Sequence, residues 1–400
     1  MKNKIALVYS DYYQENNIDL ANSDRWSGQD GCYVPGWAMG RLKYIESGEI
    51  NNAYLSGELL PTDILLTDFV PSELPYVAGI LSLAPTTPNS HVSILAQSYG
   101  IPFAYIKDPV ERAKAMGLVD SLTLLRTSSG YWGSCTIETL DASSVSSQYL
   151  GEILELKKAP EIEVNRKLSK GSIVIKDLNQ VWPSDSRYIG GKAANFGFLR
   201  RTVPNNSPEA IAFTFDLWDD FMDQPMGDKT LREEINSRIE PFNTWPTDIA
   251  SLDRELRNIR NIIRKAADFS EEKKSAILNE LSDFSPNEKL RFRSSTNVED
   301  TRYFVGAGLY DSYSGCVLDD TDNNDTGPSH CDPDEPEERG VFRAMRKVYA
   351  SFYNLNAYLE RLRHGVNESE VGMALLVHHS YPDDIELANG GATLIREPSG

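Results

Sequence analysis

Over its first 150 residues the chain alternates short apolar runs with polar turns that carry glycine, proline or acidic residues. Runs of four to eight apolar residues bounded in this way predict strands. IALVYS near the amino terminus reads as a first buried strand. DILLTD and VAGILSL read as two more, with an acidic, proline-containing turn between them. The period changes after TTPN. Val92, Leu95 and Ala96 form an apolar stripe at helical spacing, Ser90 is a good N-cap, and Gly100 and Pro102 are stop signals. IPFAYI is strand-like again, PVERAKAMG predicts a short helix, and LVDSLTLLRT a further strand. Strands and helices at this density predict a compact α/β domain over 51–155, with 1–50 an unassigned segment packed on it or part of it.

The next stretch, LELKKAPEIEVNRKLSKGS, is charged and weakly patterned. It reads as a linker, over 156–172, or as a partly solvated strand pair. A second α/β region, 173–400, begins at SIVIKDL. GGKAANFGFLRR is a glycine-led turn entering a helix. Leu252, Leu256, Ile259 and Ile263 step at helical spacing and predict an amphipathic helix. Phe342, Met345, Tyr349, Phe352 and Leu359 predict one long helix. Between them, KLRFRSSTNVEDTRYFVGAGLYDSYSG opens with strand alternation and becomes a polar, glycine-marked loop. Leu290, Phe292 and Ser294 take one face of that strand, Arg291 and Arg293 the other.

Composition narrows the partners. With 400 residues, 40% hydrophobic and 25% charged, the chain reads as soluble, globular and of two or three domains. A net charge of −19 repels phosphate backbones and anionic lipid, which argues against nucleic acid and membrane partners but leaves room for a local basic pocket. No apolar run approaches a membrane span, and the apolar run at the amino terminus is short for a signal peptide, so a cytoplasmic location is expected. Four cysteines make no disulfide scaffold. Cys32 and Cys135 look incidental, whereas Cys316 and Cys331 flank the acidic segment 319–338 and would bridge in an oxidising compartment. Asp320, Asp322 and Asn324 match the opening spacing of a calcium loop, but Asp325 and Cys331 stand where its glycine and glutamate belong, so a solvated insertion is the expectation.

Two positions carry candidate chemistry. His91 falls in the first turn of a predicted helix, beside unpaired N–H groups that suit a bound anion or a phosphoryl group on the ring itself. The alternative is a buried histidine satisfied by a backbone carbonyl. Lys192 follows Gly190 and Gly191 in a turn where the backbone can approach a ligand closely and the ammonium can hold a phosphate; the alternative is an ordinary surface turn.

Three segments resemble one enzyme superfamily. GILSLAPTTPNSHVSILAQSYGIPFAYI resembles the swivelling phosphohistidine domain of the phosphoenolpyruvate-utilising enzymes. YIGGKAANFGFLRR and LRFRSSTNVEDTRYFVGAGLYDSYSG resemble two signature segments of the ATP-grasp nucleotide domain of pyruvate phosphate dikinase and phosphoenolpyruvate synthase. AMRKVYASFYNLNAYLERLRHG is similar to the helix that follows there. The likeness covers most of 50–400. The order, histidine domain first, is similar to that of the glucan and phosphoglucan water dikinases and of bacterial dikinase-like proteins.

The resemblance implies an α/β fold: a swivelling β/β/α phosphohistidine domain followed by an incomplete ATP-grasp-like domain. It implies that His91 carries the phosphoryl group, with Ser90 and Thr87 in support. It implies that Lys192 and Arg293 hold ATP phosphates, with Gly190, Gly191, the acidic pair Glu299 and Asp300, and the loop glycines Gly306 and Gly308. ATP and Mg²⁺ would be required, the β-phosphoryl passing through His91 to an unidentified small-molecule or carbohydrate acceptor. The family's metal carboxylates are expected beyond Gly400, so the 400 residues are expected to be part of a longer product. A non-catalytic nucleotide-binding or regulatory protein is the alternative. Trp26, Tyr33 and Trp37 are expected as packing residues rather than a sugar platform.

Overall fold

The computed structural model describes residues 29–70, 75–88, 90–130, 134–299, 304, 306, 308–322 and 326–381. IALVYS, Trp26, Asp300, Asn324 and Asp325 lie outside them. The chain divides into two compact units, Met1–Ala159 with Pro246–Ser251, and Pro160–Trp245 with Leu252–Gly400.

The first unit runs β1 (Gly31–Val34), β2 (Gly36–Tyr44), α1 (Ile50–Ser56), β3 (Ile64–Thr67), β4 (Gly79–Ser82), α2 (His91–Tyr99), β5 (Phe103–Tyr105), α3 (Pro109–Gly117), β6 (Leu122–Ser129), β7 (Cys135–Asp141) and α4 (Ser147–Glu155). Among the described residues its seven strands form one sheet in the order β1-β5-β4-β3-β2-β6-β7. β5, β4, β3 and β2 are mutually parallel. β1 adds to β5, and β6 and β7 to β2, as antiparallel strands. Every residue of β3 and β4 is buried, as inner parallel strands require. Leu42, Ile64, Leu66, Leu81, Leu125 and Ile137 fill the core. Residues 31–44 of the unassigned amino-terminal stretch thus supply two strands of this sheet.

Cys32 and Cys135, expected as incidental, form a disulfide. They sit on β1 and β7, opposite ends of the strand order, yet their Cα atoms are 5.3 Å apart. The sheet therefore curls until its two rims meet. A separation of 103 residues gave no local signal for this pairing.

The second unit runs β8 (Val174–Ile175), α5 (Ser186–Thr202), β9 (Ala210–Phe213), α6 (Phe215–Met222), β10 (Pro225–Met226), β11 (Lys229–Thr230), α7 (Leu231–Ile239), α8 (Ile249–Asn261, in this unit from Leu252 onward), α9 (Glu271–Glu280), β12 (Leu290–Thr296), β13 (Ser312–Gly315), α10 (Val341–Ser351), α11 (Leu355–Arg363) and β14 (Met373–His379). Five strands pair antiparallel in the order β13-β12-β14-β9-β8. α5 packs Ile189, Ala193 and Ala194 against Ala212 and Leu376 of this sheet. Leu252, Leu256, Ile259 and Ile263 are all fully buried, the last in a π-helical turn, Ile262–Ala266, that prolongs α8.

Phe342 to Leu359 is two helices rather than the one expected. The chain breaks after Ser351, and the buried Arg361 guanidinium donates to the freed Phe352 carbonyl at 3.0 Å. The stretch 156–172 is divided between units. From Pro160 it belongs to the second, where the Lys167 and Leu168 N–H groups donate to Glu370 and Arg187 carbonyls, each at 2.8 Å.

Most described residues of the acidic segment are exposed or half-buried, as a solvated insertion requires, but Asp319 and Asp320 turn inward. Asp319 is 5% exposed and accepts from the His330 and Arg339 N–H groups. Burial alone would raise its pKa, but hydrogen bonds from Ser329, Arg339 and His330 outweigh it and hold the carboxyl low. Asp320 accepts from the Phe342 N–H at the start of α10, and burial lifts its pKa to about 6. These two carboxylates turn inward because they satisfy backbone donors that the loop and the helix start leave open. Cys316 and Cys331 close the segment as a second disulfide. Among the described residues, no helix is long and apolar enough to cross a membrane.

All four cysteines are paired. Alkylation of the unreduced, denatured protein is expected to label none, and alkylation after reduction to label four. Chain-entropy reasoning assigns about 3 kcal/mol to a loop the size of 316–331 and nearer ~5 kcal/mol to one the size of 32–135. Replacing Cys32 and Cys135 by alanine should therefore lower stability to urea more than replacing Cys316 and Cys331, as read from the unfolding curves.

Candidate functional site

In the second unit, α5 bends at Gly190, whose φ of 77° and ψ of 167° are not helical. A side-chain carbon there would stand 2.5 Å from Ser295 Oγ and closer still to the Ser295 carbonyl, so only glycine lets the turn sit on the end of β12. The Ser295 hydroxyl donates to the Ile189 carbonyl at 2.7 Å and accepts from the Ala193 N–H at 2.9 Å. One side chain thus ties both arms of the bend to the strand. Gly191 is buried within it.

Lys192 emerges from this turn, partly exposed. Its ammonium donates to Ser294 Oγ at 3.2 Å and lies 3.4 Å from Glu299 Oε1. Glu299 is buried, and its other oxygen accepts from the Thr296 N–H and hydroxyl at 3.1 Å each. Gly306, with φ of 68°, packs on the same carboxylate: a side-chain carbon there would stand 2.5 Å from Glu299 Cγ. Gly308 also has positive φ, at 77°. The structure therefore gathers Gly190, Gly191, Lys192, Glu299 and Gly306 with Ser294 and Ser295 at one end of β12. Asp300 lies outside the described residues.

The face of the sheet beneath α5 carries Arg291, Arg293 and Ser295 from β12 and His378 from β14, where His378 pairs in register with Arg291. Arg293 is exposed and its Nε donates to His378 Nε2 at 2.9 Å. His378 is buried, stacks on Phe196 of α5, and has Nδ1 2.6 Å from the His379 carbonyl oxygen. Burial, with the Arg293 and Arg291 charges, holds its pKa below the usual histidine range, against the opposing pull of the His379 carbonyl. Sequence reasoning missed His378. The signal was the histidine pair that ends MALLVHH, a strand otherwise apolar.

In the first unit, Ser90 caps α2 as the sequence predicts, its Oγ accepting from the Ser93 N–H at 3.2 Å. The Thr87 carbonyl accepts from the Ser90 N–H at 3.0 Å and from the Ser93 hydroxyl at 2.9 Å. With that proton committed, the 2.8 Å contact between hydroxyls makes Ser90 the donor to Ser93 Oγ. Ser93, which sequence reasoning also passed over, is the buried hub of this turn. Val92, Leu95, Ala96 and Tyr99 face the core, and Gly100 closes the helix in the left-handed conformation. His91 is left exposed and hydrogen-bonds nothing among the described residues. It is not the buried, carbonyl-satisfied histidine of the alternative reading. His91 and Lys192 belong to different units.

The family model of the pyruvate phosphate dikinase AMP/ATP-binding domain matches residues 186–391. The chain belongs to this family. The match takes in the bend at Gly190, Lys192, β12, Glu299 and β14, and it leaves His91 outside. Rifampicin phosphotransferase of Streptomyces sviceus is 25% identical over 203 residues, which cover 51% of this chain and 20% of that protein. The match thus spans a fifth of that relative's length.

For a pyruvate phosphate dikinase-type nucleotide domain the chemistry is legible in part. A locked glycine turn, an ammonium and a guanidinium whose terminal nitrogens have no partner among the described residues suit phosphate oxygens. Among the described residues no three His, Cys, Asp or Glu side chains gather so as to hold a metal ion. The described residues suit the phosphates of ATP.

Replacing Gly190 with alanine should be among the costlier single changes in the second unit. The backbone conformation costs about 1–3 kcal/mol for a residue with a side chain, and overlap with Ser295 adds a similar amount. A urea midpoint unchanged in Gly190→Ala would contradict the bend. Ser295→Ala, which loses two hydrogen bonds without overlap, should cost less.

Proposed function

We propose that the protein is an ATP-dependent phosphotransferase of the dikinase type, in which His91 takes the β-phosphoryl of ATP and passes it to an acceptor. The observation that carries this reading is the exposed, capped-helix His91 in a chain that also holds the family's ATP-binding domain with its glycine–lysine turn intact.

In this reading Lys192 and Arg293 neutralise phosphate charge on the bound nucleotide. Glu299 keeps the Lys192 ammonium at the end of β12 until phosphate oxygens replace the carboxylate. A neutral ring nitrogen of His91 attacks the β-phosphorus, and the bond from that phosphorus to the α-phosphate oxygen breaks, releasing AMP. The γ-phosphoryl goes to water as phosphate. The N-terminus of α2, with Ser90 and Thr87 beside it, favours the dianion left on His91 by ~0.3–2 kcal/mol, enough to help retain it and far too little to drive transfer. His91 then gives the group to its acceptor, regenerating the free ring. The first unit serves as the swivelling carrier, since one ring nitrogen cannot stand within about 3 Å of both donor and acceptor sites. The name of the Streptomyces relative points to a small organic molecule as the acceptor class. Mg²⁺, whose ligands this reading places outside the described residues, would supply further charge neutralisation.

The test is incubation of the intact protein with Mg²⁺ and ATP labelled with ³²P at the β or the γ position. An acid-labile, base-stable label from β-labelled ATP, absent from His91→Ala, is the expected result. Lys192→Ala and Arg293→Ala should lower both labelling and nucleotide affinity. Label persisting in His91→Ala would sink the carrier role. Tight ATP binding with no label at all would leave a non-catalytic nucleotide-binding protein.

A further inference from the structure

The second unit holds its arginines in two different ways. Arg361 is fully buried, and Glu368 grips its Nε and a terminal nitrogen at 2.6 and 3.1 Å. Arg232 and Arg238 are likewise held by carboxylates. Those guanidiniums are neutralised in place and serve the fold. Arg293 is exposed, and among the described residues its one hydrogen bond runs from Nε to the ring of His378.

The difference matters for an arginine that must meet an anion. A carboxylate anchor would cancel the charge and compete with phosphate for the same donors. A neutral imidazole fixes the guanidinium by its inner nitrogen and leaves the full charge and both terminal nitrogens available. The tautomer follows from the partners. The His379 carbonyl, 2.6 Å from Nδ1, can only accept, so Nδ1 carries the proton and Nε2 presents a lone pair to Arg293. The ring cannot swing away, because it is buried on β14 and stacked on Phe196 at an interplanar angle of 11°.

We propose that His378 is a positioning residue for Arg293, holding its guanidinium side-on with the terminal edge open to ATP phosphate, and that acid releases it by protonating His378. This rests on the reading of Arg293 as a phosphate ligand. An imidazolium would set an N–H against the N–H of Arg293, and the bond would be lost. The charged or titratable groups that act on the ring are Arg293 and Arg291 from β12 and His379 on its own strand; α5 contributes the neutral Phe196, and β9 the neutral Ala210 in register. Burial and the two arginine charges disfavour the imidazolium, so the anchor is intact at neutral pH and fails only below the usual histidine range.

The experiment measures ATP affinity by calorimetry, at fixed Mg²⁺, for the intact protein and for His378→Ala, His378→Gln, Arg293→Ala and the Arg293→Ala/His378→Ala pair. At pH 8, His378→Ala should weaken ATP binding about tenfold, the loss of one hydrogen bond to a charged group. His378→Gln should recover most of that, since its carbonyl accepts the same bond. As the pH falls below the usual histidine range the native protein should lose affinity that His378→Gln retains, because the amide does not ionise. The double variant should bind no more weakly than Arg293→Ala alone. Native-like affinity in His378→Ala, identical pH profiles for the native protein and His378→Gln, or additive losses in the double variant would each overturn the proposal. If Arg293→Ala binds ATP like the native protein, the phosphate role of Arg293 falls and the positioning role with it. If Arg293→Ala is weak but the His378 variants are not, only the positioning role falls.

Discussion

The hydroxyl of Ser295 spans the bend in α5, donating a hydrogen bond to one arm and accepting one from the other. The candidate phosphate site depends on this arrangement. Without it the bend at Gly190 keeps only its apolar packing on the sheet, and the turn that carries Lys192 loses its tie to β12. With it, a helix and the end of a strand share one rigid corner. The corner collects Ser294, Glu299 and Gly306 because each packs on or bonds to a residue already placed by Ser295 or its neighbours. β14, paired with β12 from Leu290 to Thr296, then brings His378 beside Arg293. The candidate phosphate site thus joins a helix bend and two paired strands to Glu299 and Gly306 from the segment that follows β12.

Much of this was legible in the sequence because local rules governed it. Ser90, His91, the apolar stripe Val92–Leu95–Ala96 and Gly100 specify a helix with its start and stop, and α2 follows them residue for residue. The alternation Leu290–Phe292–Ser294 against Arg291–Arg293 fixed the faces of β12. The glycines of the turn before Lys192 announced a close backbone approach, and the approach is to Ser295. The family itself was readable from the same segments.

What stayed hidden was set by residues distant in sequence. Nothing near Cys32 points to Cys135, since only the curl of the sheet brings them together. The break between α10 and α11 was invisible because the apolar spacing runs on through it. The partner of the freed carbonyl, Arg361, belongs to the next helix, where a charged residue reads as solvent-facing. Asp319 and Asp320 read as surface charge for a similar reason: composition suggests solvation, while their bonds to backbone donors are a matter of tertiary placement. His378 was overlooked because a histidine in an apolar strand gains meaning only from the arginine across the ladder.

The bond between β1 and β7 has a consequence beyond its contribution to folding energy. An open sheet offers two raw borders, each a row of unpaired amides onto which a strand from another molecule can crystallise. In the first unit those borders are drawn together and riveted by Cys32 and Cys135. A foreign strand would have to pry the seam apart before it could dock. The same rivet that curls the sheet therefore acts as a guard against templated association.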